Sequence, residues 1–377
     1  MSNRRPRVLG ILVLVLLGCA VGAAGVWLRL QFYAPGPSAA TVRIQVEQGA
    51  SVRTVLGQLA QTGVLRDPRG IELYRRLWGR VHAHPLRIQA GTYEITPHAS
   101  PAQILELFDQ GRVVLEQLTI IEGSTFADLR RTLAAHPALT HTLRGKSDAE
   151  VMSALGHPGQ FPEGLFFPDT YRFAAKTTDL EILGLAYASL QRILDAAWQQ
   201  RAANLPLQNA YEALTLASIV EKETALPSER ARIAGVFVSR LRKGMRLQTD
   251  PTVIYGLGAG YDGEIHTRDL VTDTPYNTYT RGGLPPTPIC LPGRDSILAA
   301  VHPQENGELY FVATGTGDGA HHFSSTLEEH NAAVKSYLQH MRLQQHVPAN
   351  APNAPNALAP HAQTGTAPHA LPGPRTK

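Results

Sequence analysis

Residues 8–28 (VLGILVLVLLGCAVGAAGVWL) carry no charge. A helix of that length spans ~31 Å at 1.5 Å per residue, which matches the hydrocarbon core of a bilayer. Arg4, Arg5 and Arg7 precede it, and Trp27 and Tyr33 lie at its far end, where amphipathic rings favour the interface. The pattern predicts a transmembrane anchor over 8–30, with residues 1–7 cytoplasmic and the rest outside. The run exceeds the ~7–15-residue apolar core of a cleaved signal. Lipidation at Cys19 fits poorly, because bulky Leu17 precedes Gly18. Residues 31–40, with Pro35 and Pro37, read as an extended linker.

From Thr41 the hydrophobic period shortens to two. Val42, Ile44 and Val46 predict one face of a strand. Ser51 caps a predicted helix carrying Val52, Val55, Leu56 and Leu59, which Gly63 ends. A second helix is expected over 69–79, a hairpin over 86–95, and a helix over 101–110 opened by Pro101. Together these make a small α+β module over 41–112.

Residues 113–345 form a larger α+β unit. LEQLTI alternates as a strand, followed by helices over 125–135, 179–203, 211–223 and 228–243. The aromatic FPEGLFFPDTYRF and the Gly/Pro-rich RGGLPPTPICLPG predict loops, the former with a short strand. ELYFVAT predicts a strand with Leu309, Phe311 and Ala313 on one face, and 327–343 a closing helix. The tail 346–377 is rich in Pro and Ala without an apolar period, so it is expected to be disordered.

Composition narrows the function. At 377 residues the chain has room for two or three units, and 43% hydrophobic against 18% charged residues suffices for a buried core. A formal charge of +4 does not call for nucleic acid, and no basic helix with groove-reading spacing supports it. Cys19 in the apolar run leaves Cys290 without a partner, which excludes a disulfide scaffold and a cysteine-built zinc site. His321 and His322 are adjacent but no HExxH occurs, and no phosphate-binding glycine motif is present. No metal or cofactor is expected.

One carboxylate stands out. On YEALTLASIVEKET at 100° per residue, Glu221 falls between Ala217 (−40°) and Leu214 (+20°), while Thr215, Ser218 and Lys222 gather on a polar face. Glu223 lies at the edge of the apolar sector. A carboxyl against an apolar wall keeps its proton to higher pH and can serve as a general acid. The competing reading is a Glu paired with Lys or Arg at a helix end. Gln248, Thr249, Asp250, Tyr255, Tyr276, Asn277 and Tyr279 supply rings for sugar faces and polar groups for hydroxyls and N-acetyl groups.

LASIVEKET, LQTDPTVIYGLG, YNTYTRGGLPP and HHFSSTLEEHN, in that order within residues 42–338, resemble the endolytic murein transglycosylases of the YceG-like family. IEGSTFADL and FPEGLFFPDTY fit as well. The resemblance implies an N-terminal membrane anchor, a small LysM-like subdomain, and a catalytic domain on the periplasmic side of the inner membrane. It implies cleavage of the β-1,4 bond between N-acetylmuramic acid and N-acetylglucosamine within peptidoglycan glycan strands, leaving 1,6-anhydro ends. It also implies partnership with peptidoglycan synthases and a role in ending nascent strands. The first glutamate of VEKE, Glu221, is the implied acid/base, and Ser218 and His322, inside family-like segments, join the candidate substrate contacts. Cys290 and Leu291 depart from the family pattern, which has a small and a polar residue there. Two alternatives stay open: a lysozyme-like hydrolase with Asp250 as second carboxylate, and a non-catalytic wall-binding scaffold.

Overall fold

The uncharged N-terminal run folds as one helix, α1 (Arg5–Tyr33), in a computed structural model that describes residues 5–47, 49–65 and 88–345. Among the described residues one helix is long and apolar enough to cross a membrane, over Leu14–Tyr33 with mean hydropathy 1.6. The expected helix over 69–79 and the tail 346–377 lie outside the described residues.

The chain divides into two compact units: Met1–Gln117 with Arg172–Thr177, and Leu118–Tyr171 with Thr178–Lys377. The sequence places this boundary at 112/113. The difference arises because β3 (Leu115–Thr119) pairs with β4 (Thr170–Ala174), and the division falls inside both strands.

In the first unit, β1 (Val42–Val46) pairs antiparallel with β2 (Gly91–Ile95), Val42 opposite Ile95 and Val46 opposite Gly91. Ile44 and Val46 point inward, as the alternation predicts. Ser51 caps α2 (Val52–Gln61) by accepting the Thr54 N–H, and Val55, Leu56 and Leu59 are its buried face. Ser100 and Gln103 form a reciprocal capping box on α3 (Pro101–Asp109), which buries Ile104, Leu105 and Phe108. Each such side chain taken from water contributes about 1.5–3 kcal/mol.

The start of the expected linker instead reaches this core through Phe32. α1 continues to Tyr33, Phe32 is only 4% exposed among these residues, and α1 packs on α3. Gly36 donates to the His98 carbonyl (3.1 Å), and the His98 N–H donates to Ser38 (2.7 Å). A Cβ at Gly36 would strike the Ala99 carbonyl. Proline spacing alone did not reveal that the segment has a surface to lie on.

The second unit is built round one helix. In chain order it holds α4 (Phe126–Ala135), α5 (Asp148–Ala154), α6 (Asp179–Gln199), α7 (Ala210–Glu223), α8 (Pro227–Arg242), α9 (Asp250–Leu257), α10 (Thr267–Val271), α11 (Arg294–Val301), a hairpin of β5 (Tyr310–Ala313) and β6 (His321–Ser324), and α12 (Leu327–Gln345). α6, α8, α9 and α11 all pack against α7, and every residue from Ala213 to Val220 is buried. Of the predicted polar face of α7, Thr215 and Ser218 are therefore out of water and only Lys222 is exposed. Thr215 and Ser218 satisfy their hydroxyls by donating to carbonyls one turn back, Tyr211 (2.9 Å) and Thr215 (2.7 Å).

On β5 Phe311 and Ala313 share one face as the alternation predicts, and Tyr310 and Val312 on the other are buried. That buried face is covered by α12, whose Val334 and Tyr337 pack on Val312.

Candidate active site

α7 ends because Thr224 is extended (φ −142°, ψ 138°) and Pro227 opens α8 immediately afterwards. This break brings Glu221, in the last turn of α7, to Arg230, in the first turns of α8. The Glu221 side chain is 6% exposed, with Oε1 3.7 Å from Arg230 Nη2. Its Oε2 accepts the Gly293 N–H at 2.9 Å. Arg230 also reaches Asp295 through Nη1 (3.3 Å), and its Nε is buried without an acceptor.

The expected apolar wall is thus incomplete. Ala217 and Leu214 are fully buried neighbours along the helix, but the carboxylate tip meets a backbone N–H and a guanidinium. Helical angles describe the root of the side chain. They say nothing of what other segments bring to its tip.

Two loops close over this tip. The turn at Ile121–Ser124 needs a left-handed residue, supplied by Gly123 (φ +73°). Gly123 donates to the Leu291 carbonyl and Leu291 donates to the Ser124 carbonyl, both at 2.8 Å. Lys222 Nζ donates to the Gly123 carbonyl at 3.4 Å. The Pro-rich loop is pinned from the other side: Ile289 N–H donates to Ser218 Oγ (3.0 Å), and the Cys290 thiol donates to the Ser218 carbonyl (3.3 Å). Cys290 and Leu291 are fully buried and fill this seam. Burial pushes the Cys290 thiol well up.

Glu122 completes the cluster. It is exposed, yet its carboxylate occupies the space where a Cβ on Gly293 would sit. Partial burial, followed by the charge of Glu221, pushes the Glu122 carboxyl up, with Arg230 opposing. A cleft of 320 Å³ lies over this turn, lined by Ile120–Ser124, Asp128, Leu129 and Thr132.

The predicted substrate contacts fall into separate groups, none bonded directly to Glu221. Tyr255 donates to Glu163 (3.1 Å) and meets Tyr276 edge-on at 4.8 Å, while the Tyr276 hydroxyl is 2.9 Å from Thr287 Oγ1. Thr249 is buried and donates to Glu223. Tyr279 donates to Asp250 Oδ1 (2.6 Å). Gln248, at φ +53°, accepts from Arg240 (3.4 Å).

Two of the candidates are structural staples. Ser218 is 0% exposed with both its donor and acceptor roles filled. Asn277 is buried, donates to the carbonyls of Asp269, Leu270 and Thr272, and accepts the Tyr279 N–H. His322 is exposed on β6, whereas its neighbour His321 contacts α8 through Glu229 (2.7 Å). Among the described residues no group of three His, Cys, Asp or Glu could hold a metal ion.

The sequence did not single out Glu122, Arg230, Asp295 or Gly293. The available signals were weak: a Glu-Gly turn in IEGSTF, and an arginine one turn past a helix break.

Two further carboxyls carry a stability prediction. Burial pushes Glu163 up to about 7 against hydrogen bonds from Phe126 N–H and Tyr255, and burial pushes Glu223 up to about 7 against that from Thr249. A carboxyl whose folded value is raised binds more protons folded than unfolded. Its stabilising share is complete below the unfolded value near 4.5 and is lost as pH rises through 7. Thermal melting is therefore expected to fall between about pH 5 and pH 8, and Glu163→Gln is expected to flatten that slope. A melting temperature that climbs over this interval in the wild type would contradict it.

Residues 44–336 match the sequence model of the YceG-like family. An endolytic murein transglycosylase of Bacillus subtilis is 29% identical over 320 residues, covering 80% of this chain and 86% of that one. The endolytic murein transglycosylase of Streptococcus pneumoniae strain D39 is 26% identical over 380 residues, covering 89% of this chain and 66% of its own length. A crystal structure of a YceG-like protein from Listeria monocytogenes, 29% identical, covers 78% of this chain and 99% of that one at a TM-score of 0.48.

Proposed function

We propose, from the fact that this chain belongs to the YceG-like family, that it is an enzyme cutting peptidoglycan glycan strands by non-hydrolytic transglycosylation, with Glu221 as its acid and base. The supporting observation is the setting of Glu221: a nearly enclosed carboxyl, held by one backbone N–H and faced by one guanidinium, next to a second carboxylate.

Protonated Glu221 gives its proton to the bridging oxygen between N-acetylmuramic acid and N-acetylglucosamine, and the C1–O bond breaks with oxocarbenium character at C1. The carboxylate left behind is received by Gly293 N–H and Arg230, whose preorganised dipole and charge stabilise it without solvent. It then takes the proton of the muramyl C6 hydroxyl as that oxygen closes onto C1. One C–O bond breaks, one forms, and no water enters.

α1 would anchor the enzyme in the inner membrane with the second unit on the periplasmic side, where nascent strands are cut and ended beside peptidoglycan synthases. The 41–112 segment is read as LysM-like, a holder of glycan.

Glu122 favours a second reading. Asp250 is tied to Tyr279, so a hydrolase would use Glu122 as its second carboxylate to activate water. Product masses from purified glycan strands decide between the two. We expect 1,6-anhydro ends. Reducing ends, heavier by one water, would establish the hydrolase, and uncut strands in every form would leave only wall binding.

A further inference from the structure

Glu221 is enclosed, yet it must begin each cycle protonated. The lytic cycle returns its proton at the end, so what matters is how the starting state is set. Glu122 is the group placed to set it. Its carboxylate and that of Glu221 lie against the same residue, Gly293: one fills the space beside its Cα, the other accepts its N–H. The Ile121–Ser124 turn that carries Glu122 is fastened to Leu291 by two backbone hydrogen bonds, which fix the backbone from which Glu122 projects. Glu122 reaches solvent, whereas the Glu221 side chain is 6% exposed.

The charges facing the pair point the same way. α7 brings Glu221 and Lys222, α8 brings Arg230, and α11 brings Asp295. Lys222 is exposed and turned onto the Gly123 carbonyl. Arg230 is divided between Glu221 and Asp295. Three carboxylates against two cations leave an excess negative charge that one shared proton removes.

Resting on the reading of Glu221 as the acid, we propose that Glu122 is a positioning residue that shares one proton with Glu221 and passes it between solvent and the enclosed carboxyl. The charge on Glu122 then helps set where the alkaline limb of the pH–rate profile falls.

The test is the pH dependence of glycan-strand cleavage by the full-length protein, as wild type, Glu122→Gln, Glu122→Asp and Glu221→Gln. Removing the neighbouring negative charge makes the pair lose its proton more easily. In Glu122→Gln the alkaline limb is expected to move toward acid by about half to one pH unit, a three- to tenfold loss above the limb that is recovered in acid. Glu122→Asp is expected to hold the limb in place. An equal loss at every pH, or an unmoved limb, would overturn the proposal.

Gly293→Ala gives a second route should Glu122→Gln not fold. Gly293 has an ordinary φ of −74°, and its new methyl displaces only the end of the Glu122 side chain. It is expected to move the limb in the same direction, and an unmoved limb counts against the proposal. Glu221→Gln separates the two readings: cleavage surviving in that variant refutes Glu221 as the acid, independently of what Glu122 does.

Discussion

Glu221→Gln is expected to cut the rate of glycan-strand cleavage by about 10²–10⁴-fold, the usual range for a positioned proton donor and acceptor. The amide has nearly the same shape, and its oxygen can still accept the Gly293 N–H, so the two loops over α7 stay closed. What is lost is the exchangeable proton and the negative charge facing Arg230. Strand affinity should change little, because the amide N–H can still hydrogen-bond the bridging oxygen. A variant with normal melting, normal strand binding and no turnover is the expected outcome. If turnover stays within tenfold of wild type, the acid is another group, and Glu122 becomes the first to examine.

Arg240→Met is expected to destabilise the protein by about 3–5 kcal/mol. Arg240 is 2% exposed and lies on α8 where three pieces of chain meet. Nε donates to the Leu309 carbonyl (2.6 Å), and Nη1 donates to those of Arg246 (3.2 Å) and Leu247 (2.9 Å). Methionine replaces much of the volume but leaves these carbonyls without a donor. Each buried orphan costs about 1–3 kcal/mol. The guanidinium also opposes the rise of Glu223, so its loss worsens the burial of that carboxyl. Melting should therefore drop by about 10 °C, with a larger drop at pH 8 than at pH 5. A shift of only a degree or two would mean that water replaces the arginine.

The local parts of this molecule are legible in the sequence, and the long-range ones are not. The alternation at Val42–Val46, the Ser51 cap and the Pro101 helix start are decided within a few residues, and the structure has them. The helix bearing Glu221 was legible to within one residue at its start. Its polar and apolar faces were not, because a helix covered by four neighbours buries Thr215 and Ser218 as readily as Leu214. Short α5, α9, α10 and α11 lack enough turns to display a period. At the site, Glu122, Glu221 and Gly293 are brought together by backbone pairing between Gly123–Ser124 and Leu291, which has no sequence signature. Tyr255, Asp250 and Asn277 have side chains suited to binding sugars, but the fold gives each of them an internal partner.

The burial of Phe32 bears on how the protein stands at a lipid surface. With α1 seated in a bilayer as proposed, the helix enters the first unit's core within six residues of Trp27, and Gly36 is clasped by His98 directly afterwards. The first unit is then mounted on a stalk rather than tied to a leash. Its height above the headgroups is fixed by where Trp27 and Tyr33 settle, and any tilt of the span turns that unit with it.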